Sequence, residues 1–257
     1  MSHSNLKGLL ALPLILMTFI ATAQKLPEVQ LASVWAPANL KIDGDANEWD
    51  NKFQAYNKTA GIYYTLSNNE DHLFLTVQAT DPTMINKLVA GGLTFTIQKS
   101  GKKNDKGAMG IIYPYFTKKN RPYFNIKAEQ GYNTVLKDSV AKANNKLLDY
   151  LMRTISVSNI SGVDTLIAVN NENDIKVAGA FNNKLVYTWE LSLSLKQLGI
   201  SPEGASKFAY HISVGDLVIK SLERRAEIEY ATDVKGYDNT TAIPTYDFWG
   251  EYTLAKK

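Results

Sequence analysis

The chain has 257 residues, with 28 basic and 25 acidic side chains and no cysteine. A formal net charge of +3 is too small to draw the protein onto nucleic acid or an anionic membrane. Without cysteine there are no disulfides, thiolate metal sites or thiol nucleophile. A domain of this size buries roughly 70–75% of its unfolded surface and needs no such staples.

Residues 1–23 read as a secretory signal peptide. Lys7 supplies the positive start, residues 9–20 an apolar run, and Ala21-Thr22-Ala23 a small-x-small cleavage site before Gln24. The run is shorter than the ~20 apolar residues that a membrane span needs. The expectation is a secreted or periplasmic protein with no membrane insertion after cleavage. The remainder, 24–257, shows no repeat, linker or second composition shift, and is read as a single domain.

Residues 24–39 form an extended lead-in, because Pro27 and Pro37 prevent a helix. Trp35 within it is expected to cover an edge of the core. Residues 40–50 (LKIDGDANEWD) follow. Leu40 and Ile42 flank Lys41 as in a short half-buried strand. Asp43-Gly44-Asp45 then breaks it with turn chemistry, since Asp bonds its own backbone and Gly accepts positive φ. Asp43 and Asp45 could join a calcium site built from loop oxygens, or serve only to stabilise the turn. Trp49 is expected to plug a core.

From Gly61 the pattern is β. Ile62, Tyr64 and Leu66 alternate with polar positions, 67–71 is a polar turn, and Leu73, Leu75, Val77 and Ala79 alternate again, so the pair reads as a hairpin. Two stretches now stand at a fixed order: I-D-G-x-x-x-E-W, and YTLSNNEDHLFLTVQATDP after it. Together they resemble carbohydrate-binding module family 9 and the wider DOMON-like β-sandwich superfamily. The resemblance implies a non-catalytic sugar-binding sandwich; some relatives in family 9 hold sugar between tryptophans and carry structural calcium.

Beyond Asp81-Pro82, residues 83–89 suggest a short helical turn closed by Gly91-Gly92. Leu93, Phe95 and Ile97 mark a strand. The basic stretch 99–107 reads as a solvated hairpin loop, because it lacks the spacing of a phosphate loop feeding a helix. Residues 111–126 are the most aromatic part of the chain. Tyr113 and Tyr115 share strand parity, as do Arg121 and Tyr123 beyond a turn, so a hairpin could gather both pairs on one face. Aromatic faces stack on sugar rings while polar neighbours bond hydroxyls. Tyr113, Tyr115, Arg121 and Tyr123, with Tyr237 from a late loop, are therefore the candidate carbohydrate platform; the same composition also suits a paired edge of a sandwich.

Residues 133–154 carry apolar residues near helical spacing and form the one long helix expected, interrupted in propensity by Asn144-Asn145. Residues 163–169 and 174–181 read as a hairpin. Leu185, Tyr187, Trp189, Leu191 and Leu193 then alternate, with Glu190 on the opposite face, where it would pair with a basic neighbour or fix a loop. This strand and the short helix after it also resemble the family. Further strands are expected over 208–214, 226–230 and 246–254. His211 sits on the polar side of its strand, where a solvated or hydrogen-bonded role is expected. Trp49, Trp189 and Trp249 all fall in contexts that assign them to the core.

The fold class is thus all-β: an antiparallel, jelly-roll-like β-sandwich with one inserted helix. The function expected is a secreted carbohydrate-binding protein with a polysaccharide or glycan partner and no nucleic acid. The alternative is a secreted structural or interaction sandwich without a small ligand. No enzyme is expected, because a glycosidase needs two carboxylates facing each other across a sugar, and the acids here fall in adjacent pairs. No cofactor is expected beyond structural calcium.

Overall fold

A computed structural model describes residues 25–50, 52–117, 133–201, 203, 207–215 and 246–257. The signal peptide, Arg121, Tyr123, Tyr237 and the strand expected over 226–230 lie outside the described residues.

In chain order, a 3₁₀ turn at Asn47–Trp49 precedes β1 (Ala55–Asn57), β2 (Ile62–Asn68) and β3 (His72–Ala79). Then come α1 (Pro82–Gly91), β4 (Leu93–Gln98), β5 (Met109–Tyr113), α2 (Thr134–Leu151), β6 (Thr154–Ser158) and β7 (Leu166–Ala168). β8 (Ile175–Phe181), β9 (Tyr187–Ser194), α3 (Leu195–Leu198), β10 (Lys207–Val214) and β11 (Asp247–Thr253) complete the set. The strands make two sheets, ordered β1-β2-β3-β9-β8 and β11-β10-β4-β5-β6-β7. Every pairing is antiparallel. The chain visits each sheet twice, so β9 docks against β3 and β10 against β4 across long stretches of sequence. The fold is the all-β sandwich with an inserted helix that the alternation predicts.

Alternation decides which side chains face the other sheet. Tyr64, Leu66, Leu75, Tyr187 and Trp189 from the first sheet meet Phe95, Ile111, Phe208, Tyr210 and Ile212 from the second, all buried in one core cluster. Buried polar tips find partners across it. The hydroxyls of Tyr64 and Tyr210 lie 2.9 Å apart, and the Gln30 N–H donates to Tyr64 at 2.8 Å. The Trp189 indole N–H donates to the Tyr113 carbonyl at 2.9 Å. Gly250 has no side chain because the Tyr210 ring occupies that space: a Cβ there would meet it at 2.2 Å.

Two local features explain the helices. Asp81 caps α1 by accepting from the Met84 N–H, with Pro82 pre-set at the first turn. Asn133 caps α2 in the same way through the Leu136 N–H. Asn145, in the middle of α2, bonds both backbone groups of Phe181 on the edge strand β8, at 2.9 and 2.7 Å. The residue that weakens the helix in propensity is the one that satisfies the edge of a sheet.

The hairpin expected over 163–181 does not form. β7 closes the far edge of the second sheet, whereas β8 closes the edge of the first. The segment between them is a crossover. Asn171 bonds the carbonyls of Ala168 and Ile175, and Asp174 takes φ +53°, which redirects the chain. Alternation reads the same whether the next strand pairs with its neighbour or crosses to the facing sheet, so the pattern predicts strands here without their pairing.

Candidate functional site on the outer face of the second sheet

Each sheet has an outer face, and the N-terminal segment covers that of the first. The Gln30 side chain bonds both backbone groups of Leu66, at 2.7 and 2.8 Å, and Trp35 bridges to Asn68. The segment thus completes the edge of β2 where β1 stops. Ala46, Trp49 and Phe53 form a second small core there with Leu26, Val34, Leu40 and Tyr63. Beneath it lie Thr65, Ser67, Thr76, Thr188, Glu190 and Ser192, all buried although polar. The Trp49 indole donates to the Thr76 hydroxyl at 3.2 Å.

Glu190 anchors the Asp43-Gly44-Asp45 turn to this layer. Its Oε2 accepts the N–H groups of Asp43 at 3.0 Å and Gly44 at 2.8 Å. Of the two roles expected for Glu190, loop fixation is the one present. Burial pushes its carboxyl up to about 7, against the two amide bonds that lower it. Gly44 is at φ +83°, with β8 so close that a Cβ would sit 2.7 Å from Ala180. The Asp43 carboxylate accepts from the Asp45 N–H at 3.0 Å, and that of Asp45 from the Asn47 backbone and side chain at 3.1 and 2.6 Å. Both acids serve as turn acceptors. Among the described residues no group of three or more His, Asp or Glu side chains is placed to hold a metal ion.

The outer face of the second sheet carries a different arrangement. One cross-strand row runs Trp249, His211, Thr96, Gly110 and Ser158 from β11 to β6. The His211 ring lies parallel to the Trp249 indole, 1° between planes and 4.5 Å between centroids. The other face of the indole carries no ring contact among the described residues. The imidazole Nε2 is 2.8 Å from an Asp247 oxygen, and Nδ1 is 3.5 Å from an Asp105 oxygen. Asp105 reaches it because the β4–β5 loop curls back, with the Gln98 amide donating to the carbonyls of Asn104 and Lys106. Along β11 on the same side, Glu251 pairs with Lys207, whose ammonium holds that carboxyl below the usual range. The His211 side chain is 12% exposed and Asp105 66%, so the cluster runs from a covered imidazole to open carboxylate oxygens.

Trp249 is therefore not a core residue. Phe248, Gly250 and Tyr252 take the inward parity, and Asp247, Trp249 and Glu251 the outward one. The two flanking acids are the sequence signal that could have placed Trp249 outside. His211 is hydrogen-bonded, as expected, but its stacking partner is 38 residues away in sequence and was not foreseen. Trp49 and Trp189 are buried as predicted.

The platform built on Tyr113 and Tyr115 is not assembled as expected. Tyr113 faces the interior against Trp189, with its hydroxyl 3.5 Å from the Met152 carbonyl. Burial pushes that hydroxyl up to about 12. Tyr115 lies beyond the end of β5, half-buried, its N–H donating to Thr154 at 3.0 Å. The shared parity fails because β5 stops at Tyr113, and Pro114 cannot donate to a continuing ladder. Arg121, Tyr123 and Tyr237, the other candidates, lie outside the described residues.

No family model matches the chain, and no curated protein matches it.

Proposed function

We propose that the protein is a secreted, non-catalytic carbohydrate-binding sandwich that takes a neutral stretch of polysaccharide on the outer face of its second sheet. Trp249 is the stacking surface. The observation that carries this reading is a half-buried indole with one face backed by His211 and the other without a ring contact among the described residues, near the exposed carboxylate of Asp105. An indole face matches the apolar face of a pyranose, and fixed acceptors at its rim orient the hydroxyls. The motifs over 40–50 and 64–82, similar to those of carbohydrate-binding family 9, support the same class. The test is retention of residues 24–257 on a panel of insoluble polysaccharides, for wild type and Trp249→Ala. Retention by the wild type that is lost in a folded Trp249→Ala supports the reading, and equal retention by both removes Trp249 from it.

A second reading, an interaction sandwich without a small ligand, has one observation in its favour. Val135, Leu136, Leu147 and Tyr150 of α2 and Leu166 of β7 are large apolar side chains left exposed. A wild type retained by no polysaccharide, yet self-associating by light scattering, would favour it.

A further inference from the structure

We propose that the β4–β5 loop is a cationic rim of this site and takes the carboxylates of an acidic polysaccharide whose neutral unit stacks on Trp249. The inference rests on the carbohydrate-binding reading above and names its substrate class. Gln98, Ala209 and Glu251 form the cross-strand row next to that of Thr96, His211 and Trp249, with the same outward parity. Gln98 and Ala209 are nonetheless buried, because the loop folds back over their end of the row. The Gln98 amide donates to the Asn104 and Lys106 carbonyls at 3.3 and 3.0 Å, and its oxygen accepts from the Ser100 N–H at 3.3 Å. The Asn104 side chain accepts from the Lys106 N–H at 3.2 Å, and the Asn159 amide holds the far end by donating to the Ala108 carbonyl at 2.7 Å. The loop backbone is thus tied to the outer face beside the indole.

What this backbone carries is cationic. Lys102, Lys103 and Lys106 are exposed and enter no ion pair among the described residues. The one acid between them, Asp105, lies beside the His211 imidazole, 3.5 Å from Nδ1. The charge of Lys103 acts on Glu251, which is itself paired with Lys207. Glu251 follows Trp249 by two residues, about 7 Å along β11, which puts the charge of Lys103 next to the stacking surface. Lys99 faces elsewhere: a Cβ on Gly199, at the end of α3, would meet its Nζ at 3.1 Å. Unpaired ammonium groups at the edge of a sugar platform attract carboxylates on neighbouring units of the polymer and steer its approach. A lysine ammonium is a point charge on a flexible stem, so it meets such a carboxylate without the fixed geometry of an arginine fork. Exposed charges are screened by salt, whereas burial of a sugar face on the indole is not, and that separates the two contributions.

The test is retention of the mature chain, residues 24–257, on two pairs of polymers that differ chiefly in their carboxylates. One pair is cellulose with and without part of its C6 hydroxyls oxidised to carboxylates; the other is polygalacturonate half or fully methyl-esterified. The wild type is expected to be held several-fold more strongly by the charged member of at least one pair, with the difference gone at about 1 M salt. The variant Lys102→Gln/Lys103→Gln/Lys106→Gln should lose that difference at low salt and keep its retention on the neutral member, whereas Trp249→Ala should lose both. Equal retention on the two members by the wild type, or a difference that survives salt or the folded lysine variant, would overturn the inference and leave the carbohydrate reading intact. A difference that survives in Trp249→Ala would overturn it too, because the loop would then act apart from the indole. A wild type that none of these polymers retains would also overturn the inference; only a failure on the whole polysaccharide panel would overturn the carbohydrate reading with it.

Discussion

The two outer faces of the sandwich present the same kinds of residue with opposite outcomes. On the first sheet, Trp49, Thr76 and Glu190 lie under the N-terminal segment, and the tryptophan fills a small core of its own. On the second sheet, Trp249, Thr96 and His211 lie in a cross-strand row with the indole half-buried. The strands themselves do not decide which tryptophan is structural. What distinguishes them among the described residues is whether a segment of chain lies across the face, and whether the carboxylate nearby is buried on backbone amides, as Glu190 is, or exposed beside the imidazole that backs the ring, as Asp105 is.

The comparison breaks most visibly at Trp49. Replacing it with Ala removes the plug of the covered face and should cost about 3–5 kcal/mol, read as a lowered midpoint in denaturant unfolding. A loss under about 1 kcal/mol would mean that the covering segment is not held by its own core. Glu190 gives the next effect, and its sign follows from burial. Its folded-state value near 7 lies above the ordinary value of 4.5. Between those two values the folded state holds a proton that the unfolded state has released. Stability is therefore greatest below about pH 4.5, falls as pH rises toward 7, and is level above, through a total of roughly 3 kcal/mol from this group. Glu190→Gln, which keeps an oxygen for the Asp43 and Gly44 amides, should flatten that slope. An unchanged slope would place the titrating group elsewhere.

How much of this was legible in the sequence depends on what each residue answers to. Inward parity along β2, β3, β4, β9 and β10 was readable because every second position is apolar, and the core follows from it. The Asp43-Gly44-Asp45 turn was readable from its own chemistry, although its anchor, Glu190, lies more than 140 residues away. The face proposed to bind was read less well. Tyr113 and Tyr115 were joined by a parity that stops at Pro114. Trp249 was assigned inward by its hydrophobicity, although Asp247 and Glu251 share its parity. Asn145 was read as a flaw in α2, when it serves the edge of β8. The first two turned on local signals, Pro114 and the flanking acids, that hydrophobicity outweighed; the third depends on Phe181, 36 residues away, about which local pattern carries no information.

Two smaller effects sharpen the contrast. Thr76→Val keeps the shape of the side chain but removes the acceptor of the Trp49 indole N–H. It should cost about 1–2 kcal/mol by the same unfolding measurement. A neutral outcome would assign Trp49 to packing alone. Trp249→Ala, on the face that no described segment covers, should change stability by no more than about 0.5 kcal/mol; a loss comparable to that of Trp49→Ala would show that the face is covered in solution.

The most direct test sets the two tryptophans against each other in one experiment. Trp49→Phe and Trp249→Phe are each compared with wild type for unfolding midpoint and for retention on the polysaccharide that best holds the wild type. A crossed result is expected: Trp49→Phe lowers the midpoint and keeps retention per folded molecule, whereas Trp249→Phe keeps the midpoint and weakens retention several-fold. Retention that follows stability in both variants, or that survives in Trp249→Phe and fails in Trp49→Phe, would contradict it.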